Sequence, residues 1–470
     1  RVLIKKGTVV TYDQVSDARL ETVSVEGNLK FATNKDTQIK VKTILNGASG
    51  RLDIGSAGQS VAADKQARII FTSDSGIDTK WDPKQLSKGL VSHGIVNIYG
   101  ADKADKLELA GDVKKGDSVL RFKETPKGWK VGDRIVLGGT QYIFRGKDND
   151  NSRFQDEVLT VTSIKGKEVR FVNEDIKSGK NNVTRYDHTR SQLANSADKL
   201  SLYVGNLSRN VSFETENGKN VPINRRAHVM LMHNPNVKVL NAGFYELGRS
   251  DKSKPVDDVG RNVDGSKGNG TNVRGRYALH LHRTGADDIN GQAAILRGNA
   301  VEGSPGWGIV QHDSHAGLED NVVFDVVGAG IAAESGNEIG WWTDNLTIKT
   351  TGISLGQAQK ERNIRERRYD FGIQGTGFWV QGAGLIKNKD NVAISSNQTG
   401  MEVFGSVLEP HLFVRDATTL KVSNLPPELR KLFPASQKEV DIRDVPMAEI
   451  AGFESYNASI GLRIWAHNPN

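Results

Sequence analysis

Three segments of this chain repeat one spacing: an asparagine, eight residues, a glycine, then a short strand-forming patch. They run Asn299 to Gly308, Asn321 to Gly330 and Asn391 to Gly400. Another Asp-Asn pair, Asp344-Asn345, falls between the last two, so the asparagines lie 22, 24 and 46 residues apart, the last gap being two units of 23. A period in the low twenties with one strand patch per unit is a solenoid signature. In such a coil, equivalent residues of successive turns sit about 4.8 Å apart, the ordinary inter-strand distance. Four residues past the glycine stand His312 in one unit and Glu334 in the next. The spacing therefore places them side by side, close enough to share a metal or a proton.

The rest of the chain has the texture of a β protein. At 470 residues there is room on length alone for two to four domains. Short runs of Val, Ile, Leu and Thr are punctuated by Gly, Asn and Asp. Long amphipathic helical patterns are missing, apart from a short one around Pro427 to Phe433. There is no cysteine, hence neither a disulfide framework nor a thiolate metal site. No apolar run approaches the length of a membrane span. The chain starts at Arg1, as a processed one would, and is expected to be secreted or cell-surface. Its 63 basic and 56 acidic residues give a formal charge of +7, which suits an acidic polysaccharide as partner. A nucleic-acid partner is disfavoured, because no Arg/Lys stripe with interleaved aromatics appears.

Three regions are expected. Residues 1–110 read as a glycine-rich β domain, with strands such as Ala67-Arg68-Ile69-Ile70-Phe71 and ten glycines in the first hundred residues. Residues 111–195 read as a small β module containing Arg134-Ile135-Val136-Leu137. Residues 196–470 carry the coil pattern, interrupted near 250–273 and 410–445 by polar insertions long enough to fold over a face, where binding and catalysis tend to reside. The last unit, Gly461 to Trp465, ends without an obvious cap, so either an unusual cover or further chain is expected.

Six of the ten histidines fall between 228 and 315. Arg276-Tyr277-Ala278-Leu279-His280-Leu281-His282 alternates as a strand, placing Leu279 and Leu281 on one side and Arg276, His280 and His282 on the other. The same parity turns Ile309, Gln311, Ile331 and Ala333 inward, and His312 and Glu334 outward. His282, His312 and Glu334 then line up on successive turns, with His280 two residues along. Three imidazoles and a carboxylate suit a divalent metal, zinc or a similar transition metal before calcium. Without metal, the same groups can divide general acid and base roles. Asp313 and His315, in the turn after the strand, are candidate supporting partners; His228 lies two strands upstream. His93, His188, His411 and His467 read as structural or incidental. Arg276 and Arg283 could hold a substrate carboxylate through bidentate contacts, or make surface ion pairs. Trp307, Trp341 and Trp342 lie beside the column, and Trp379 and Trp465 in later units; exposed, they would form a stacking track for sugars, and otherwise they pack. Asp148-Asn149-Asp150-Asn151 resembles the start of a calcium loop but lacks its later glycine and glutamate, and reads as an acidic turn.

At these residues the chain resembles a known family. Gly50-Arg51-Leu52-Asp53-Ile54-Gly55 in the glycine-rich stretch resembles the G-eight domain. Ala227-His228-Val229-Met230, Gly275-Arg276-Tyr277 with His280-Leu281-His282, Ser304-Pro305-Gly306-Trp307-Gly308, Glu319-Asp320-Asn321-Val322-Val323 and Glu334-Ser335-Gly336 resemble, in the family's order, the right-handed parallel β-helix of cell-migration-inducing hyaluronidase and its transmembrane relative. The resemblance covers most of residues 1 to about 350 and implies an extracellular protein acting on glycans, hyaluronan in the animal members. It also supports His280, His282, His312 and Glu334 as the site. The chain departs from the animal members in lacking their cysteines and in carrying Ala329-Gly330-Ile331-Ala332 where they have a histidine and two aromatics, which reads as a bacterial member.

The expectation is thus an all-β protein: a right-handed parallel β-helix preceded by a glycine-rich β domain and a small β module. Its leading function is cleavage of an acidic glycan, hyaluronan-like or another uronate polymer, by a hydrolase or a lyase. The catalytic candidates are His280, His282, His312, Glu334 and Arg276, and the substrate-binding ones Arg283, Trp307, Trp341, Trp342 and Asp313. The alternative is a non-catalytic glycan-binding module or adhesin scaffold.

Overall fold

The computed structural model describes residues 1–142, 154–192, 197–262, 266–285, 289–362, 364–365, 370–382, 385–405, 419–441 and 444–465. The Asp148–Asn151 turn, His411 and His467 lie outside the described residues.

The chain winds into a parallel β-helix with three strands per turn. One turn consists of His228–Met232, Val237–Leu240 and Ala242–Tyr245, and the next of Leu279–His282, Ala294–Arg297 and Ala300–Glu302. Ile309–His312, His315–Glu319 and Val322–Val327 follow, then Ala329–Ala333, Ile339–Thr343 and Leu346–Thr351. Each strand pairs in parallel with its counterpart one turn on, which makes three faces. Period-two alternation sends one set of side chains into the tube. On the first face Leu279, Ile309, Ile331, Phe378 and Met401 stack in register, all fully buried. Each such side chain contributes roughly 1.5–3 kcal/mol by leaving water.

The repeated asparagines form a ladder at one corner of this tube. Asn299, Asn321 and Asn345 each donate through Nδ2 to the Oδ1 of the next asparagine, ending at Asn391, every bond being 2.9 Å. That same Oδ1 accepts the preceding turn's backbone N–H, and the Nδ2 groups also satisfy carbonyls of Val239, Leu296, Leu318 and Trp342. A buried corner leaves backbone groups that no strand can pair, and the primary amide supplies the donors and acceptor at the one turn-by-turn spacing. Asp320, Asp344 and Asp390, just before the ladder residues, turn the chain with φ of 52–57°, a conformation Asp tolerates.

The glycine-rich segment has strands that are continuous with the coil. Its strands are the first turns of the same helix: Ala67–Phe71 pairs with Val211–Thr215, Gly89–Ser92 with residues 228–231, and Ile95–Tyr99 with Val237–Leu240. Its glycines are needed where turns touch at a corner, since a Cβ on Gly50 would lie 2.2 Å from the Val25 carbonyl oxygen and one on Gly94 2.2 Å from that of Gly50. The small β module is an insertion between two turns. Its six-stranded antiparallel sheet runs from Lys106 to Asn206, beyond the expected boundary at 195, because Tyr203–Asn206 closes the sheet between Lys106–Glu108 and Arg134–Leu137. The module packs Leu107, Val136, Leu159 and Val204 onto Val322, Phe324, Leu346 and Ile394 of the third face.

The insertion near 250–273 contains a hairpin, Asp257–Arg261 with Lys267–Asn272. In the insertion near 410–445, Thr419–Lys421 pairs with Glu439–Asp441 and the expected short helix is Pro427–Arg430, packed with Leu385 and Ile339. A helix at Leu355–Lys360, capped by the Ser354 hydroxyl, was not expected. No helix among the described residues is long and apolar enough to cross a membrane.

Candidate metal centre

The first face brings the histidine column together. Leu279 and Leu281 point into the tube, so His280 and His282 point out. His282 pairs in register with His312, and Gln311 pairs with Ala333, which sets Glu334 beside His312 one turn on. His282 Nδ1 and His312 Nδ1 lie 3.2 Å apart. Glu334 Oε2 is 3.2 Å from His312 Nδ1 and 3.8 Å from His280 Nε2. Nitrogen ligand atoms of His280, His282 and His312 all fall within 4.8 Å of one another. Two imidazole nitrogens bound tetrahedrally to one zinc are roughly 3.3 Å apart.

The surroundings favour a ligand role. His280 Nδ1 is 3.0 Å from the Gly275 carbonyl oxygen and donates its proton there, so Nε2 carries the lone pair. Among the described residues, that Nε2 and Glu334 Oε2 are buried with no hydrogen bond beyond the ion pair of Glu334 with His312, the kind of deficit a cation would remove. Glu338 shapes the turn after Glu334, accepting backbone N–H bonds from Asp313, Ser335 and Gly336 at 2.7–2.9 Å. His280 and Glu334 are buried, whereas His282 and His312 are half-buried and form the mouth.

Burial pushes His280 down to about 4 and, with the neighbouring His280 and His312, pushes His282 down to about 2. For His312, burial also pulls downward, but the Glu334 carboxylate outweighs it and the net shift is upward. Glu334 moves the other way: burial pushes it up, and His312 and His280 hold it below the carboxylate range. With so little proton affinity, His280 and His282 are neutral at pH 7, the form in which an imidazole ligates a metal.

Several expected site residues lie elsewhere. Arg276 is buried and spent on the fold: its guanidinium donates to the carbonyls of Lys84, Gln85 and Arg274 at 2.7–2.9 Å, so it does not face a substrate. Trp342 lies inside the tube, where its Nε1 donates to Gln311. Trp307 points outward but is fully buried between Tyr277 and Phe371, with ring centroids at 4.8 and 4.5 Å. This stack continues through Trp379 to Phe404 and is packing, not a sugar track. Trp341 is half-buried on the second face, bonded through Nε1 to Glu319. Arg283 and Asp313 stand at the rim, 3.5 Å apart and partly exposed. His315 meets Trp341 edge-on on the second face. His188 is in the module, bonded to Glu157 and the Gly138 carbonyl.

Other neighbours escaped the sequence reading. Lys252, from the polar insertion, lies 3.9 Å over the Trp307 ring and 3.4 Å from Asp370, fully buried behind the cluster. Tyr277 packs against His280, with its hydroxyl buried and unpartnered. His93 and His233 extend the column past His282: their Nδ1 atoms are 3.2 Å apart, and the His233 ring lies 5.8 Å from that of His282. The signal was register: each follows the first-face strand of its own turn, as Arg283 follows His282.

Residues 1–110 match the G8 domain family and residues 266–421 the CEMIP beta-helix family. Fibrocystin-L of Homo sapiens is 22% identical over 366 residues, covering 72% of this chain and 8% of that protein. Fibrocystin of Canis lupus familiaris is 23% identical over 394 residues, covering 80% and 8%. The chain thus spans less than a tenth of the length of these relatives. Among solved structures, the gp54 tailspike of Acinetobacter baumannii bacteriophage AP22, in complex with A. baumannii capsular saccharide, shares 10% identity over 80% of this chain and 48% of that one, with a TM-score of 0.19. The tailspike protein gp49 from Pseudomonas phage LKA1 shares 11% over 81% and 52%, with a TM-score of 0.18. Likeness this slight adds nothing to the fold already described. By its two domain matches, in the order seen here, the chain belongs to the family that joins a G8 domain to a CEMIP beta-helix.

Proposed function

We propose that the protein is an extracellular enzyme that cleaves an acidic polysaccharide at the cluster of His280, His282, His312 and Glu334, with zinc or a similar divalent ion held by those residues. One observation carries the reading: three imidazoles converge, Glu334 lies against two of them, and His280 Nε2 has no hydrogen-bond partner among the described residues. A bound divalent ion would polarise a substrate oxygen as a Lewis acid. The Gly275 carbonyl fixes the His280 tautomer, and Glu338 fixes the turn that presents Glu334. His282 and His312 form the half-buried mouth, and Arg283 at the rim supplies a cation for a uronate carboxylate. The excess positive charge and the match to the CEMIP beta-helix family favour an acidic glycan over a neutral one.

The test incubates zinc-loaded protein with hyaluronan and with polygalacturonate, following reducing ends and the ultraviolet absorbance of unsaturated products. Cleavage that is lost on chelation, restored by zinc and absent in His282→Ala is the expected result. Cleavage undiminished in His282→Ala, or no cleavage of either polymer, would overturn it. Zinc bound without any cleavage would point to the glycan-binding scaffold instead.

A further inference from the structure

On another face, a groove of about 890 Å³ opens where the β module meets the helix. One wall is the 128–134 segment of the module, and the other is built by Asn210, Tyr245 and Glu302. Its volume lies within the usual range for ligand sites.

Pairing of the charges determines what this groove can hold. Five acids line it, and every one is already neutralised. Asp133 pairs with Lys103 at 2.6 Å and Glu302 with Arg134 at 2.6 Å, both inside the groove. Asp102, Glu214 and Glu246 pair with Lys127, Arg68 and Arg226, which are not among the lining residues. Three lining cations are left over: Lys130, Lys219 and Arg209. Among the described residues, the Lys130 ammonium donates only to the Ala63 carbonyl, at 3.4 Å.

Arg209 is the most telling of the three. It is buried, and its Nε and Nη1 donate to the carbonyls of Gly298, Asn206 and Ser208 at 2.6–2.9 Å, which locks the guanidinium in place. Among the described residues, its Nη2 has no hydrogen-bond partner and no carboxylate forms a salt bridge with it. Nη2 is itself shielded from solvent, so Arg209 is a fixed positive charge in the groove wall that raises the potential a ligand meets.

We infer that this groove is a second binding site, which takes the carboxylate-bearing sugars of an acidic polysaccharide at a distance from the histidine column. The exposed Lys130 and Lys219 meet the polymer's carboxylates along the groove, and the buried Arg209 charge lies behind them. The choice of a polysaccharide rests on the proposed function; the anionic chemistry rests on the groove alone. The groove opens on the side that carries Tyr245 and Glu302, at the ends of third-face strands, whereas the cluster caps first-face strands. It therefore anchors polymer without touching the bond that is cleaved.

The experiment measures binding of hyaluronan decasaccharide, with neutral dextran as control, to wild type, to the double variant Lys130→Glu/Lys219→Glu and to Lys5→Glu/Lys6→Glu, which makes the same charge change outside the groove lining. Both double variants change surface residues, and melting curves check that they fold. Wild type and Lys5→Glu/Lys6→Glu should bind the acidic oligosaccharide alike and ignore dextran, while Lys130→Glu/Lys219→Glu binds at least tenfold more weakly. Equal binding by all three proteins, equal binding of dextran, no binding by wild type, or an equal loss in Lys5→Glu/Lys6→Glu would each overturn the assignment. Binding that follows this pattern in a protein that cleaves nothing would sink the cleavage reading alone.

Discussion

At the scale of the single residue, parity and period together located the cluster. His280, His282, His312 and Glu334 were legible because a strand alternates every two residues and the coil repeats every 22 to 24. Arg276 obeyed the same parity and was still misread. Its partners, the carbonyls of Lys84 and Gln85, come from 191 or more residues upstream, and no local pattern reports them. Trp307 was hidden in the same way: Phe371 and Lys252, distant in the sequence, cover it. Trp342 was legible in principle, because its partner in register, Leu318, faces the tube. Arg276→Ala should lower unfolding free energy by about 3 kcal/mol through the lost charged hydrogen bonds, measured by urea denaturation. Metal content per folded molecule should stay at the wild-type level; a stable variant that loses metal would place Arg276 back in the site.

At the scale of the element, the asparagine ladder is the part of the fold most openly written in the sequence. Its spacing is also its mechanism, since each amide must meet the next exactly one turn on. Asn345→Ala removes the acceptor for two Asn321 N–H groups and the donor to Leu318 and Asn391. It should cost about 2–4 kcal/mol, whereas replacing exposed Asn236 should cost little; equal melting temperatures for the two variants would refute a structural ladder. The contact between module and helix makes a prediction in pH. The Asp156 carboxylate accepts bonds from Gly139 N and Ser395 Oγ, and burial raises its pKa to about 6. Between the ordinary value of 3.8 and about 6 the folded state holds a proton that the unfolded chain has lost, so stability falls as pH rises through that window. Asp156→Asn should therefore stabilise the protein by up to about 3 kcal/mol above pH 6, with the gain vanishing below 3.8. A gain that does not change between those limits would contradict the burial argument. The Leu355–Lys360 helix was not legible, being a single short element closed by one cap.

At the scale of the molecule, strand pairing runs across the boundary expected near residue 110, where the G8 match ends. The glycine-rich strands and the later ones differ in composition but share one parallel ladder, and pairing between residues more than a hundred apart leaves no local trace. Residues 1–110 made alone should therefore fail to give a cooperative melting transition, whereas the whole chain melts cooperatively; a stable isolated fragment would restore the independent domain. Continuity matters for the site as well, because His93 from this segment stacks on His233, beside His282. The central claim is that the column holds a metal, and the most direct measurement is zinc content by mass spectrometry of wild type, His282→Ala and Glu334→Ala purified with zinc present. The account predicts about one ion per wild-type chain, as expected for a single four-ligand site, and its loss from both folded variants. Wild-type protein free of metal, or variants that retain it, would contradict the account.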